Sequence, residues 1–150
     1  MSKNFLPISI DISGEKILVI GGGLEALKKI HILKRFDADI EVLAPEVCHE
    51  IKNSGVKYTE AEYDKKYLKG YLMLYSCINN HERNRQIVKD GREAGVLVNI
   101  HDKPALCQFV SPAIYRSGKI TVAVGSNGED VCESIRIRDL IKDKLNFNEN

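Results

Sequence analysis

The sequence carries no surplus charge and no long apolar run. Lysines and arginines number 22 against 21 aspartates and glutamates, a formal net charge of +1, so there is no strong field to gather nucleic acid in general. No apolar stretch approaches the roughly 20 residues needed to span a bilayer. The opening Met1-Ser2-Lys3-Asn4-Phe5-Leu6-Pro7 lacks the apolar core of a secretory signal. The expectation is a cytoplasmic protein with neither nucleic-acid nor membrane partners. Clustered ligands are missing too. Cys48, Cys77, Cys107 and Cys132 never fall in a metal-clip or redox spacing, and His31, His49, His81 and His101 are as scattered. The cysteines therefore read as reduced thiols, and no metal centre is expected. No repeat or low-complexity segment is evident. What 150 residues at 43% apolar do allow is one domain with a real core, or one domain with a small appendage.

The stretch that organises the rest is Lys16-Ile17-Leu18-Val19-Ile20-Gly21-Gly22-Gly23-Leu24-Glu25-Ala26-Leu27-Lys28-Lys29. Ile17 to Ile20 suits one buried strand and is too short for most helices, and Leu24 to Phe36 has helical spacing in Leu24, Leu27, Ile30 and Leu33. Strand, glycine turn and helix make the context of a dinucleotide fingerprint. Gly21 would allow the tight turn, Gly23 would let backbone N–H groups approach a pyrophosphate, and Ala26 would keep helix and strand close. The phosphates would lie at the positive end of the helix dipole.

From there, strand and helix patterns alternate. Strands are expected over Ile40–Ala44, Val56–Thr59, Tyr71–Cys77 and Val96–Ile100. A short helix is expected over Glu46–Asn53, a polar turn or helix over Asp64–Lys69, and a helix over Asn79–Ala94 with Asn79 or Asn80 as cap. This is α/β order, which predicts a Rossmann-type parallel, doubly wound sheet over residues 1–104, with Leu6–Ile12 as an extended arm. Ligands on such sheets lie beyond the carboxyl ends of the strands. Those ends are Gly21–Glu25, Ala44–Glu46, Cys77–Asn79 and Ile100–Lys103. The pattern then changes, and residues 105–150 read as a small α+β region. Strands are expected over Leu106–Val110, Ile114–Arg116 and Lys119–Val124, with Ser117-Gly118 as a hairpin turn. A second glycine loop, Gly125-Ser126-Asn127-Gly128, precedes a helix over Glu129–Leu145, and Asn146–Asn150 reads as a frayed tail.

The acid that usually meets the adenosine ribose is missing from the tip of the second strand, which ends Ala44-Pro45. Glu46 is the nearest candidate, and no arginine follows to receive a 2′-phosphate, which favours NAD over NADP. Asp102 lies just past the last parallel strand. It is placed to exchange a proton near a nicotinamide, although spacing alone favours a turn residue or a helix cap. Arg116, Lys119, Arg136 and Arg138 could meet an acidic substrate or be solvated cations, and Ser126 an anion contact or a turn residue.

Four segments together resemble the precorrin-2 dehydrogenase family, the dehydrogenase module of siroheme synthase. They are Phe5-Leu6-Pro7-Ile8, the glycine loop from Val19 to Lys29, Val98-Asn99-Ile100-His101-Asp102-Lys103-Pro104, and Phe109 to Gly118 with the strand Ile120–Val124. The resemblance implies NAD-dependent oxidation of precorrin-2 to sirohydrochlorin, with Fe²⁺ as a further substrate in members that also act as ferrochelatase. It implies that Asp102 is the acid/base residue. Gly21, Gly22, Gly23, Leu24, Glu25, Pro45, Glu46, Cys77 and Ile78 become the expected cofactor contacts. Asn99, Arg116, Lys119, Ser126 and Arg138 become the expected substrate contacts. A homodimer through residues 106–124 is implied as well. The chain departs from the family in Cys77-Ile78-Asn79 after the fourth strand, and in two acids, Glu129 and Asp130, that would face a polyanion. The family's C-terminal helical domain is expected to be absent from these 150 residues. The alternative reading is a non-catalytic dinucleotide- or tetrapyrrole-binding module that needs a partner. A generic carbonyl reductase lacks a suitably placed Tyr-x-x-x-Lys pair.

Overall fold

Lys16–Ile20 forms strand β1, and its four apolar residues are all buried. A run buried on both faces belongs at the centre of a parallel sheet, and that is its place. The computed structural model describes residues 3–145. In it β1 pairs in parallel with β2 (Asp39–Ala44) on one side and β4 (Tyr71–Ser76) on the other. β3 (Lys57–Glu60) and β5 (Leu97–Ile100) complete the order β3-β2-β1-β4-β5. The chain leaves β1 toward β2 and β3, then returns to its other side, so the direction of winding reverses between β1 and β4.

Helices cover both faces. Ala26, Ile30 and Leu33 of α1 (Leu24–Lys34) and Ile51 of α2 (His49–Lys52) share one core with Ile17, Val19, Val42 and Tyr75. Each fully buried Ile or Leu there contributes about 1.5–3 kcal/mol. On the other face, α3 (His81–Glu93) lies so close to β5 that a Cβ on Gly91 would stand 2.4 Å from the Val98 side chain. Asn80 caps α3, its side-chain oxygen accepting from Arg83 N at 2.9 Å. A 3₁₀ turn, Lys65–Leu68, is capped likewise by Asp64.

Three expectations are corrected. Helix α1 stops at Lys34, not Phe36, because Arg35 and Phe36 close i→i+3 bonds to Ile32 and Leu33 and Asp37 turns to φ 54°. Helix α2 is a single turn that begins at His49, not Glu46. Cys48 N donates to Gly22 O at 2.8 Å and Val47 N to Glu60 Oε1 at 3.2 Å, which draws residues 46–48 out of helical form. Leu106–Val110 is no strand. Pro104–Leu106 is a 3₁₀ turn, and residues 107–109 follow β5 through one main-chain bond, Gln108 N to Val98 O at 2.8 Å, and otherwise through side chains, not through a continuous ladder. Gln108 Oε1 accepts from Val98 N at 3.0 Å, Asn99 Nδ2 donates to Phe109 O at 2.9 Å, and Cys107 Sγ accepts from Ile100 N at 3.2 Å. The edge of the sheet is thereby covered.

The chain divides into two units, residues 9–109 and residues 3–8 with 110–145. The second unit has an antiparallel pair, β6 (Ala113–Ser117) and β7 (Ile120–Val124), turned by Gly118 at φ 56°, with α4 (Val131–Leu145) packed on both strands. The expected arm forms no strand, and only its residues 6–8 belong to this unit. Asn127 accepts from Phe5 N at 2.8 Å and donates to Lys3 O at 2.6 Å. The expected tail Asn146–Asn150 lies outside the described residues. Among the described residues no helix is long and apolar enough to cross a membrane.

Candidate functional site

Each glycine of the first turn answers a different constraint. Gly21 has φ 131°, a backbone closed to most side chains, and its N–H donates to Leu43 O at 2.9 Å. Gly22 packs directly on the β2–α2 connection, where a Cβ would lie 1.9 Å from Glu46 O. Gly23 is the residue before α1, and a Cβ there would meet nothing within 4 Å. No side chain caps this helix, and the first N–H groups of any helix lack partners inside it. Open space above an uncapped N-terminus is a cradle that fits a pyrophosphate. Ala26, 1% exposed, keeps the helix tight on the sheet.

Beside this turn, at the reversal between β1 and β4, is a crevice of about 160 Å³ lined by Leu43, Pro45, Ile78, Glu62, Tyr63 and Arg83 among others. Pro45 and Ile78 were legible as the ends of β2 and β4. Glu62, Tyr63 and Arg83 were not, since they come from the segment after β3 and from α3, and only the fold returns them to the tip of β2. An arginine does reach this place, from α3 and not from the residues that follow β2. Tyr63 Oη donates to Asp90 Oδ2 at 2.9 Å, and Arg83 lies 5.9 Å from the Tyr63 ring. Glu46 presents its carbonyl to Gly22.

Under the turn, the Cys77 thiol is pushed up to about 11 by burial and is therefore a neutral thiol at pH 7, with no nucleophilic character. Burial lowers the Lys29 ammonium from its ordinary value, and its Nζ lies 4.6 Å from the centre of the Tyr75 ring. Tyr75 meets Phe109 edge to face, the ring centres 5.3 Å apart.

At the end of β5, Asp102 has φ 56° and a side chain 78% exposed. His101 beside it brings Nε2 to 3.3 Å from Asp102 Oδ2 and 3.2 Å from Glu25 Oε2. The other oxygen of Glu25 binds Lys28 Nζ at 2.9 Å, which holds the Glu25 carboxyl below its usual range. The fold thus gathers Gly21–Glu25, Pro45, Cys77, Ile78 and Asp102 at one end of one sheet. Asn99 is also in this unit, but its amide is committed to Phe109 O and the residue is 8% exposed.

The remaining expected contacts are in the other unit. Arg116 is exposed on β6 and Lys119 is exposed in the hairpin turn. Arg138 on α4 donates to Asp139 Oδ1 at 2.7 Å. Ser126 Oγ accepts from Asp130 N at 2.9 Å and donates to Asp130 O at 2.8 Å, and Asp130 Oδ1 accepts from Glu133 N. Asp130 is therefore a helix cap, the reason α4 begins at Val131 and not at Glu129. Among the described residues no three His, Cys, Asp or Glu side chains gather to hold a metal ion.

Comparison with known proteins adds a family and several relatives. The family described as "Putative NAD(P)-binding" matches residues 8–113. The siroheme synthase of Buchnera aphidicola is 36% identical over 129 residues, 83% of this chain and 27% of that protein. The siroheme synthase of Nitrosomonas europaea is 34% identical over 130 residues, again 83% and 27%. The chain thus spans about a quarter of the length of these relatives. Among solved structures, that of SirC, precorrin-2 dehydrogenase, shares the fold, with a TM-score of 0.77 and 22% identity over 93% of this chain and 70% of that one.

Proposed function

The chain belongs to this NAD(P)-binding family, and on that footing we propose that it oxidises precorrin-2 to sirohydrochlorin with NAD in siroheme biosynthesis. The observation that carries the reading is the Gly23 cradle over an uncapped helix, on the same sheet end as the Asp102 carboxylate. The first-turn N–H groups of α1 would hold the pyrophosphate, and Pro45 and Ile78 the adenosine side. When bound, the dinucleotide supplies a hydride acceptor. Asp102 takes the proton that the macrocycle loses, through a carboxylate left largely open to its substrate. Arg116, Lys119 and Arg138 are proposed contacts for the carboxylates of the macrocycle, on the ground of charge. Four free cysteines suit a reducing cytoplasm.

Anaerobic precorrin-2 mixed with protein and NAD tests this by absorbance. Conversion to sirohydrochlorin is expected. A protein that binds NAD yet converts nothing would instead be a binding module that needs a partner. Adding Fe²⁺ to the same cuvette reads metal insertion, in which Asp102 would take the pyrrole protons.

We also propose a homodimer through the second unit. Ile120 on β7 is 51% exposed, and Val131, Ile135 and Leu140 on α4 are exposed as well, apolar side chains that a second copy of the unit would cover. Sedimentation is expected to give twice the chain mass. A monomer at micromolar concentration would remove this part of the proposal.

A further inference from the structure

We propose that His101 is a positioning residue that ties the first turn of α1 to the Asp102 carboxylate. Three observations carry this. Its Nε2 is within ion-pair distance of two carboxylates from different elements, Glu25 Oε2 at 3.2 Å and Asp102 Oδ2 at 3.3 Å. Its backbone N–H donates to Ser76 O at 2.9 Å, so the residue is held by β4 while the next one swings into the left-handed region. Lys28 occupies Glu25 Oε1, which leaves Oε2 for the imidazole.

The chemistry of the ring follows from those neighbours. A lone pair on a nitrogen 3.2 and 3.3 Å from two carboxylate oxygens would be repelled by both. Nε2 therefore carries a proton in the neutral ring as well as in the charged one, and the neutral tautomer is the Nε2–H form. The groups that face this nitrogen are Glu25 from α1, itself bound to Lys28, and Asp102 from the turn after β5. Asp102 alone would be an exposed side chain with free rotamers. A donor on Oδ2 narrows that freedom and leaves Oδ1 for the proton of the substrate. Holding a reacting group in its working geometry raises kcat more than it changes KM.

The positioning role rests on the assignment of Asp102 as proton acceptor in the preceding subsection. The state of the ring does not, and the two are measured separately. Long-range ¹⁵N–¹H correlation of the His101 ring, at a pH where it is neutral, is expected to show the proton on Nε2 in the parent and a mixture of tautomers in the Glu25→Gln, Asp102→Asn double variant. A parent ring protonated on Nδ1 overturns the proposal whatever the enzyme does. In turnover, His101→Ala is expected to lower kcat about fivefold with KM for NAD within about twofold. His101→Gln, whose amide N–H reaches the place of Nε2, is expected to recover most of that loss. Equal kcat in parent and His101→Ala, or no recovery with Gln, overturns the role. A parent that converts no precorrin-2 but shows the Nε2–H ring removes the functional reading, while the contact from α1 to Asp102 stands.

Discussion

Asp102→Asn is expected to lower the rate of precorrin-2 oxidation at least about a hundredfold, the lower end of what a positioned acid or base contributes, with NAD affinity within about twofold of the parent. Asparagine is the informative substitution because of the backbone. Asp102 has φ 56°, which costs most residues about 1–2 kcal/mol and which Asn and Asp tolerate through local hydrogen bonding. Alanine would combine lost basicity with backbone strain. Asparagine removes the basicity alone and still offers an oxygen to His101. The nearby alternatives are poor bases. Cys77 is a neutral thiol, pushed up to about 11 by burial, and Glu25 already binds Lys28 and faces His101. Stopped-flow absorbance with NAD gives the rate, and a fluorescence titration gives the affinity. A variant that keeps a tenth or more of the parental rate would move the proton to another group and leave Asp102 as a turn residue.

That result would also decide how far the sequence could be read. By spacing alone Asp102 is a turn aspartate, and its left-handed φ is what a turn aspartate has. Its place past the last parallel strand made it a candidate base, and the resemblance tipped the reading that way. The parallel sheet was legible because the apolar runs of β1 and β4 alternate with helical patterns, and of the two residues offered as the cap of α3, Asn79 and Asn80, it is Asn80 that caps it. The segment after β5 was not. Its apolar look fits a strand, but a single main-chain bond from Gln108 N to Val98 O is joined by the side-chain amides of Gln108 and Asn99 where a ladder would run on, an arrangement that no local pattern announces. Helix α2 shortened for a similar reason, since the bonds that open residues 46–48 come from Gly22 and Glu60, far away in sequence. Ser126 read as an anion contact or a turn residue and Asp130 as an acid set against a polyanion, yet the two bond to one another and cap α4. The polar residues of the β1–β4 crevice were missed because Glu62 and Arg83 follow other elements. Local periodicity reported what each segment forms, while contacts between distant segments set where it stops and what its polar atoms do.

The glycines offer the sharpest separation of packing from binding. Gly22→Ala is expected to cost about 3 kcal/mol, toward the upper end for overpacked sites, which lowers Tm by roughly 10 °C in a chain of this size. The added Cβ would stand 1.9 Å from Glu46 O and 2.9 Å from Glu46 C and Val47 Cα, all of them backbone atoms. No side chain is there to swing aside, and the segment is pinned by the bonds of Cys48 N to Gly22 O and of Val47 N to Glu60. Gly23→Ala should behave in the opposite way. Its Cβ meets nothing and its φ is −103°, so the folding cost should stay below about 1 kcal/mol, the scale of a changed N-cap. The methyl would instead project into the space assigned to the pyrophosphate, and NAD affinity is expected to fall at least about tenfold, since even 1.4 kcal/mol of lost contact has that effect. Thermal unfolding with and without NAD reads both at once. A ligand at a hundred times its Kd stabilises by about 2.7 kcal/mol, so the parent should gain several degrees and Gly23→Ala much less. If Gly22→Ala melts with the parent, the β2–α2 connection yields, and the close approach there is not what requires glycine. If Gly23→Ala keeps the full NAD shift, the phosphates lie elsewhere, and the cradle over α1 loses its claim to be the cofactor site.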